Sequence, residues 1–388
     1  MLKHPFRVNG VAYLGAGDRI ATASGDGVLR LWNAADGLEV ARLRGHTAAI
    51  WSIAAVPGAA WIGTGSADGT ARVWDTDFTV APVMRATDKV LAVTCSPDQR
   101  LVATALANST VVLWDAATLR QQGVLHKGVG RVNDVRFAPD GATIAGCCDD
   151  GTVQLWDPAS LDRRDWFKPH DRRVYSVDFS RDGRFIATAA EDRTARVWSL
   201  ADAAAVGPPF KHPRRAFCAT FSPDGLLMAT ACEDRVARLW RLDDGTEVRR
   251  FEAHEGPVNW VAFSFDGRLI ATACTDGAVR VFDVEDGGLV SVMTGPARQI
   301  WKLAFSPDAH RIAGVSADGT AQLWDVATGR AAPLLRGHTD QVWGVAFAPD
   351  GRSLFTGSWD GTARAWGVSV AEIARRRHER GRASPTPR

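Results

Sequence analysis

Six histidines in this sequence each stand at one fixed distance from a threonine and an aspartate. The sets are His4, Thr22 and Asp26; His46, Thr64 and Asp68; His170, Thr188 and Asp192; His212, Thr230 and Asp234; His254, Thr272 and Asp276; and His338, Thr356 and Asp360. In each set the Asp follows the His by 22 residues and the Thr precedes the Asp by four. An imidazole between a hydroxyl and a carboxylate is the relay of acyl-transfer hydrolases, where the ring takes the hydroxyl proton and the carboxylate orients the ring. Six copies in one chain, with no Gly-x-Ser-x-Gly turn to build an oxyanion site, argue for a structural role instead. No kinase signature, phosphate loop with its lysine, or His-Glu-x-x-His accompanies them.

What positions such sets is a repeat. Six residues after each Asp position stands an aromatic, giving Trp32, Trp74, Trp114, Trp156, Trp198, Trp240, Phe282, Trp324 and Trp366. Seven of the eight intervals are 42 residues, and the one from Trp74 to Trp114 is 40. Such regularity marks a repeat architecture. One unit reads as strand HTDQVWGVAF (338–347), turn APDG (348–351), strand RSLFTGS, tight turn WDG and strand TARAW; a fourth strand follows the aromatic, as in GLEVARLRGH (37–46). In the first turn Pro presets φ and Gly permits the left-handed conformation. The strands are apolar on both faces, so each small sheet needs cover on both sides, as when sheets stack radially around an axis.

The Gly-His pairs at 45–46 and 337–338, the Trp-Asp pairs at 74–75, 114–115, 156–157 and 324–325, and turns such as FSPDG (221–225) resemble the WD40 β-propeller family over residues 4–366. The resemblance implies an all-β propeller of four-stranded blades; the spacing places nine repeats within 1–366, and a basic tail follows at 367–388. It also implies a network in which the turn Asp accepts from the His, the His meets the Thr hydroxyl, and the hydroxyl meets the indole N–H of Trp32, Trp74, Trp198, Trp240 or Trp366. Phe282 has no N–H to give. Where the Thr is lost, at Gly146 and Gly314, the His is lost too, to Gly128 and Pro296; the third repeat is mixed, with Ala86, Thr104 and Asn108. Joint loss suits a buried network, because a half-satisfied one leaves a desolvated polar group at a cost of about 1–3 kcal/mol.

Even spacing without a linker favours one ring of nine blades, with a ring of seven or eight plus remaining repeats as the alternative. LKHP (2–5) matches FKHP (210–213), so the chain begins at the end of an outer strand. The last blade is therefore expected to lack a full outer edge, which invites self-association by strand pairing.

Function in such an array lies where the copies differ. In the family, three positions per repeat look onto the top surface: three and five after the His slot, and one before the turn Asp. Five after the slot come Trp51, Tyr175, Phe217, Trp301 and Trp343 among nine residues; before the Asp come Asp149, Glu191 and Glu233 on consecutive repeats, and Trp359 on the last. Two readings stand. The aromatics and acids receive a partner's Arg or Lys by cation–π and carboxylate contacts; or the acids pair within their own repeats with Arg131, Arg173 and Arg215, and the aromatics are packing.

Apolar residues are 46% of 388 and charged residues 23%, a globular composition. No run of eighteen apolar residues occurs and the start lacks a secretory core, so a cytoplasmic location and no membrane association are expected. Residues 371–388 carry six arginines and two glutamates, which leaves the rest of a +2 chain slightly negative and unlike a basic nucleic-acid binder. The six cysteines show no CxxC pair, so neither metal nor cofactor is expected, and buried thiols are. Arginine outnumbers lysine 40 to 6 and alanine is abundant, a usage that suits a GC-rich bacterial genome. The expected function is a non-catalytic scaffold or adaptor that binds protein partners on the top surface, as a docking or sensor subunit of a bacterial signalling or multi-protein system. The alternatives are a hydrolase or lyase with chemistry in the channel, and nucleic-acid binding through the tail, read as a short helix or strand that frays into disorder.

Overall fold

The computed structural model describes residues 6–14, 19–34, 39–44, 46, 48–55, 61–69, 71–75, 83–127, 130–295, 299–332 and 334–368. The fifth repeat shows how its residues make a blade. Strand Val174–Phe179 pairs with Phe185–Ala190, that with Thr194–Ser199, and that with Ala205–Lys211, all antiparallel. The first turn is tied by Ser180, which donates to Asp182 (2.6 Å) and accepts from the Phe185 N–H (2.9 Å). The second needs a left-handed residue, usually Gly; here Arg193 takes it, at φ 68°. Small residues let the second strand sit buried between neighbouring blades, whereas the outer strand is mostly exposed.

Among the described residues nine sheets follow from nine repeats, eight with four strands and one with three. They group into two compact units, residues 1–82 and 83–388, which divide the span read above as one propeller. The first unit holds the four-stranded sheet from Val8–Leu14 to Glu39–Arg44 and the three-stranded sheet of Ile50–Ala55, Trp61–Ser66 and Ala71–Asp75.

The second unit closes on itself. Its seven innermost strands, Val90–Cys95, Val132–Phe137, Val174–Phe179, Ala216–Phe221, Val258–Phe263, Ile300–Phe305 and Val342–Phe347, pack each against the next, and the seventh packs against the first. Of the two closures left open by the spacing, a ring of seven with two further sheets is the one adopted.

Strand Val83–Arg85 completes the circle. By the period it belongs to the second repeat, but it pairs with the third strand of the ninth: Thr362 with Arg85, Ala363 with Met84 and Arg364 with Val83. The last blade therefore has an outer strand. This corrects the expectation of an incomplete last blade, and with it the strand-pairing argument for self-association. Met1–Lys3 and the tail from residue 369 lie outside the described residues.

Candidate protein-interaction surface

The network residues come first, because they set the turns from which the surface projects. In the fifth repeat His170 Nε2 is 2.8 Å from Thr188 Oγ1 and Nδ1 is 2.8 Å from Asp192; Trp198 Nε1 donates to Thr188 (3.1 Å). The ninth repeat has the same set, His338, Thr356, Asp360 and Trp366, with distances of 2.8–3.0 Å. His46 bonds Thr64 (2.9 Å) and Asp68 (2.8 Å). Each hydroxyl of the two complete sets is buried and engaged on both sides, which leaves no nucleophile facing a substrate.

The sixth and seventh repeats depart from the implied pattern. His212 and His254 still meet Thr230 and Thr272 (both 2.8 Å). Asp234, however, turns to Arg238 (2.5 Å) and Asp276 to Arg280 (2.8 Å), as Asp26 does to Arg30 (2.6 Å) in the first repeat. The residue two after the Asp accounts for the difference. Thr194 and Thr362 bond both the Asp (2.7 and 2.6 Å) and the His (3.2 and 3.1 Å), whereas Val28, Val236 and Ala278 cannot. Trp32 and Trp240 donate to Thr22 (2.7 Å) and Thr230 (2.8 Å); Phe282 packs on Phe251. His4 and the Trp74 side chain lie outside the described residues.

Where the Thr is Gly, the indole takes its room. A Cβ on Gly146 would lie 2.7 Å from the Trp156 ring, and one on Gly314 2.8 Å from Trp324. Thr and this ring placement exclude each other, which gives the joint loss of His and Thr a steric cause as well as a polar one.

A β-bulge presents the variable positions. In the fifth repeat Val174 pairs with Ala190 and Ser176 with Ala189, so Tyr175 is the extra residue, turned out of the sheet. The same slip falls on Phe217, Trp301, Trp343 and, in the first unit, Trp51. One backbone bond joins the other two positions: Glu191 N–H donates to Arg173 O (2.9 Å) and Trp359 N–H to Gln341 O (2.9 Å). Bulge and bond together bring each repeat's three variable residues to one rim.

On the ring this rim has two sectors. In the first, Arg173 meets Asp149 (2.7 Å), Arg215 lies between Glu191 (4.0 Å) and Glu233 (3.7 Å), and Tyr175 packs edge-on to Phe217 (5.3 Å). Pairing thus runs mainly between neighbouring blades and not, as the sequence suggested, within each. Burial, then Glu191, raises the Tyr175 pKa. In the second sector Trp301 stacks on Trp343 (4.4 Å) and Trp343 on Trp359 (5.2 Å, planes 1° apart), and Lys89 Nζ caps Trp359 at 4.2 Å. The Nε1 atoms of all three indoles are buried without an acceptor among the described residues. Trp51, exposed, belongs to the first unit.

Sequence reasoning did not single out Lys89 or the channel. Lys89 reaches the stack only because the third repeat neighbours the ninth across the closure, a relation that no local spacing signals. One residue beyond the bulge, Asp134 and Lys302 meet at 2.8 Å across the channel, with Lys302 also 4.4 Å from the Trp260 ring centroid. Below them Arg136, Asp178, Thr220 and Trp260 line a cavity of about 380 Å³. Burial raises the Asp178 carboxyl although Arg136 and the Thr220 hydroxyl (2.7 Å) oppose it. Among the described residues no group of three or more His, Cys, Asp or Glu side chains gathers as metal ligands, and no helix is long and apolar enough to cross a membrane. Burial pushes the thiols of Cys148, Cys218 and Cys232 up to about 12, far from reactive thiolates.

Radial four-stranded blades, bulged inner strands and a His-Thr-Trp staple define a WD-repeat propeller. A family model described as the IFT122 first beta-propeller matches residues 7–283 and again 131–332, and the WD domain, G-beta repeat model matches 331–367. The chain belongs to the WD40 β-propeller family. Over 72 residues it is 31% identical to eukaryotic translation initiation factor 3 subunit I of Coccidioides immitis (strain RS). That alignment covers 19% of this chain and 21% of the relative, so the chain spans about a fifth of the length of the curated relative it matches. Repeats and relative together support a protein-interaction scaffold.

Proposed function

We propose that the protein is a non-catalytic adaptor that holds a protein partner on the rim of its seven-bladed ring, and that the Trp301, Trp343 and Trp359 stack is the anchor. The observation that carries this reading is the stack itself: three half-buried indoles, aligned face to face, whose N–H groups have no acceptor among the described residues. A buried donor without a partner costs on the order of 1–3 kcal/mol, which a partner's carbonyl or carboxylate oxygen would return. Aromatic clusters of this kind are typical interface hot spots.

The charged sector has a secondary part. Asp149, Glu191 and Glu233 already have arginine neighbours, and Lys89 holds the cation position on Trp359, so a partner's cation must displace one of these. Arg215, about half exposed, holds its two glutamates at 3.7 Å or more, more loosely than Arg173 holds Asp149 (2.7 Å). We therefore assign affinity to the indoles and orientation to the acids. Membership of a signalling assembly, as a docking or sensor subunit, is the specific form we favour. The bacterial setting rests on Arg and Ala usage, while the relative matched is eukaryotic.

Partner capture from native lysate tests the reading. Trp343→Ala with Trp359→Ala should lose the captured protein, by roughly 30-fold for a loss of about 2 kcal/mol, while Trp51→Ala retains it. Undiminished capture by a folded double variant would exclude the stack as anchor.

A further inference from the structure

The third repeat lacks two side chains that most of its siblings have. Its His position is Ala86, and four residues after the turn acid position, where the other eight repeats have Arg or Gln, stands Val112. The ninth repeat shows what fills those places: the His338 ring packs near Trp366 (6.2 Å), with Thr356 on Nε2 (2.8 Å) and Asp360 on Nδ1 (3.0 Å), and Arg364 runs alongside.

In the third repeat the other half of this arrangement is in place. Trp114 Nε1 donates to Thr104 (2.8 Å), and Asn108, with its amide nitrogen 3.2 Å from Thr87 Oγ1, replaces the acid. The backbone keeps its path, since Ala86 N–H donates to Gly361 O (2.9 Å) as His212 N–H does to Arg193 O (2.9 Å). What the two truncations leave is a cavity of about 450 Å³, lined among others by Ala86, Asn108, Thr110, Val112, Trp114 and Val124.

We propose that this cavity is a binding site for a neutral imidazole ring, brought by a partner's histidine side chain or by a small molecule that carries the ring. The protein supplies its own template, because other repeats enclose an imidazole at this place. Trp114 and Val112 offer the apolar walls. A ring seated as His338 sits on Thr356 would meet the Thr104 hydroxyl, which lies behind the cavity wall and now points to the Val112 carbonyl (3.5 Å), and the Asn108 carbonyl at the wall would accept from its other nitrogen. Asn108 has no charge and Arg85 stands at the rim, so the neutral ring is selected over imidazolium. The proposal does not depend on the rim surface.

Titration of the ¹⁵N-labelled full chain with imidazole at pH 7.5, read at the Trp114 indole N–H assigned by Trp114→Phe, tests it. A saturable shift is expected in the wild type. Ala86→His fills the cavity and should abolish the shift, and Thr104→Val should weaken binding about tenfold for one lost hydrogen bond of about 1.4 kcal/mol. Lowering the pH below the ring's own pKa should weaken it as well. Acetyl-Gly-His-Gly-amide against its Ala counterpart separates the sources: a shift with the histidine peptide supports a partner side chain, a shift with imidazole alone supports a small molecule. No saturable shift, or equal shifts in wild type and Ala86→His, would overturn the proposal. Should Ala86→His fail to fold, an unchanged affinity in Thr104→Val overturns it instead.

Discussion

Lys302 Nζ lies 2.8 Å from Asp134 Oδ1 although 168 residues separate them, and the contact crosses the channel. Both side chains are buried, so desolvation opposes the pair, and what holds it is the quality of its surroundings. Asp134 also accepts from the Val177 N–H (3.5 Å) and faces Arg136 (3.8 Å); Lys302 sits against Trp260. Removing Asp134 strands the Lys302 ammonium, and removing Lys302 leaves Asp134 only the more distant Arg136. Lys302→Met alone should cost about 3–5 kcal/mol, whereas Asp134→Asn combined with Lys302→Met should recover most of it. Urea unfolding of the double-mutant cycle decides, and a double variant as unstable as the sum of the singles would refute the pairing.

Acid should weaken the fold in two stages. Burial, then the nearby Arg238 and Arg280, hold the His212 and His254 rings down to about 4, and burial lowers His338 as well. An unfolded histidine takes its proton near pH 6.5, so between about 6.5 and 4 the unfolded chain binds more protons than the folded one. Stability is thus whole above pH 6.5 and falls toward pH 4, by ~3 kcal/mol for each of His212 and His254. Asp192, held at about 2 against burial by His170 and Thr194, acts only below pH 4, where its contribution is lost as pH falls toward 2. Urea midpoints at pH 7 and 4.5 should differ less in His212→Gln/His254→Gln than in the wild type. Equal differences would dismiss these rings as the cause.

The repeat, the joint loss of His and Thr, and the three variable positions were all legible, because each depends on residues within one 42-residue unit. The closure was not. Val83–Arg85 has the outer-strand sequence its place in the second repeat predicts, and nothing in those three residues says which third strand will take it. That choice depends on how many blades fill a circle, a property of the whole ring. Asp134 and Lys302 were hidden for the same reason, as was Lys89 on Trp359. The turn of Asp234 and Asp276 toward arginine, by contrast, was written locally in Val236 and Ala278.

Val236→Thr should therefore switch the sixth repeat. A hydroxyl at that position, placed as Thr194 and Thr362 are, would hold Asp234 toward His212 Nδ1, which now bonds the Phe210 carbonyl (3.1 Å). A carboxylate beside the ring favours its charged form, so the His212 pKa should rise from about 4 by a unit or more. NMR titration of the ring protons measures this. An unmoved pKa would show that Arg238, and not the missing hydroxyl, decides where Asp234 points.

The seam of the ring makes the last prediction. Gly344 on the seventh inner strand runs so close to the first that a Cβ there would lie 2.9 Å from Val93 N and 3.1 Å from the Ala92 backbone, and a Cβ on Gly357 would lie 2.5 Å from Val90 Cγ1. Backbone on both sides cannot yield as a flexible side chain would, so Gly344→Val must part the two strands at a cost of about 1–3 kcal/mol or more. The outer half of the same blade depends on Val83–Arg85, whose loss would bare the Thr362–Arg364 edge to other chains. A chain that starts at residue 83 should accordingly unfold in one cooperative step and stay monomeric, and a chain that starts at residue 87 should melt lower and associate. Thermal melts with light scattering distinguish the two. If both truncations behave alike, strand Val83–Arg85 is not what closes the ring.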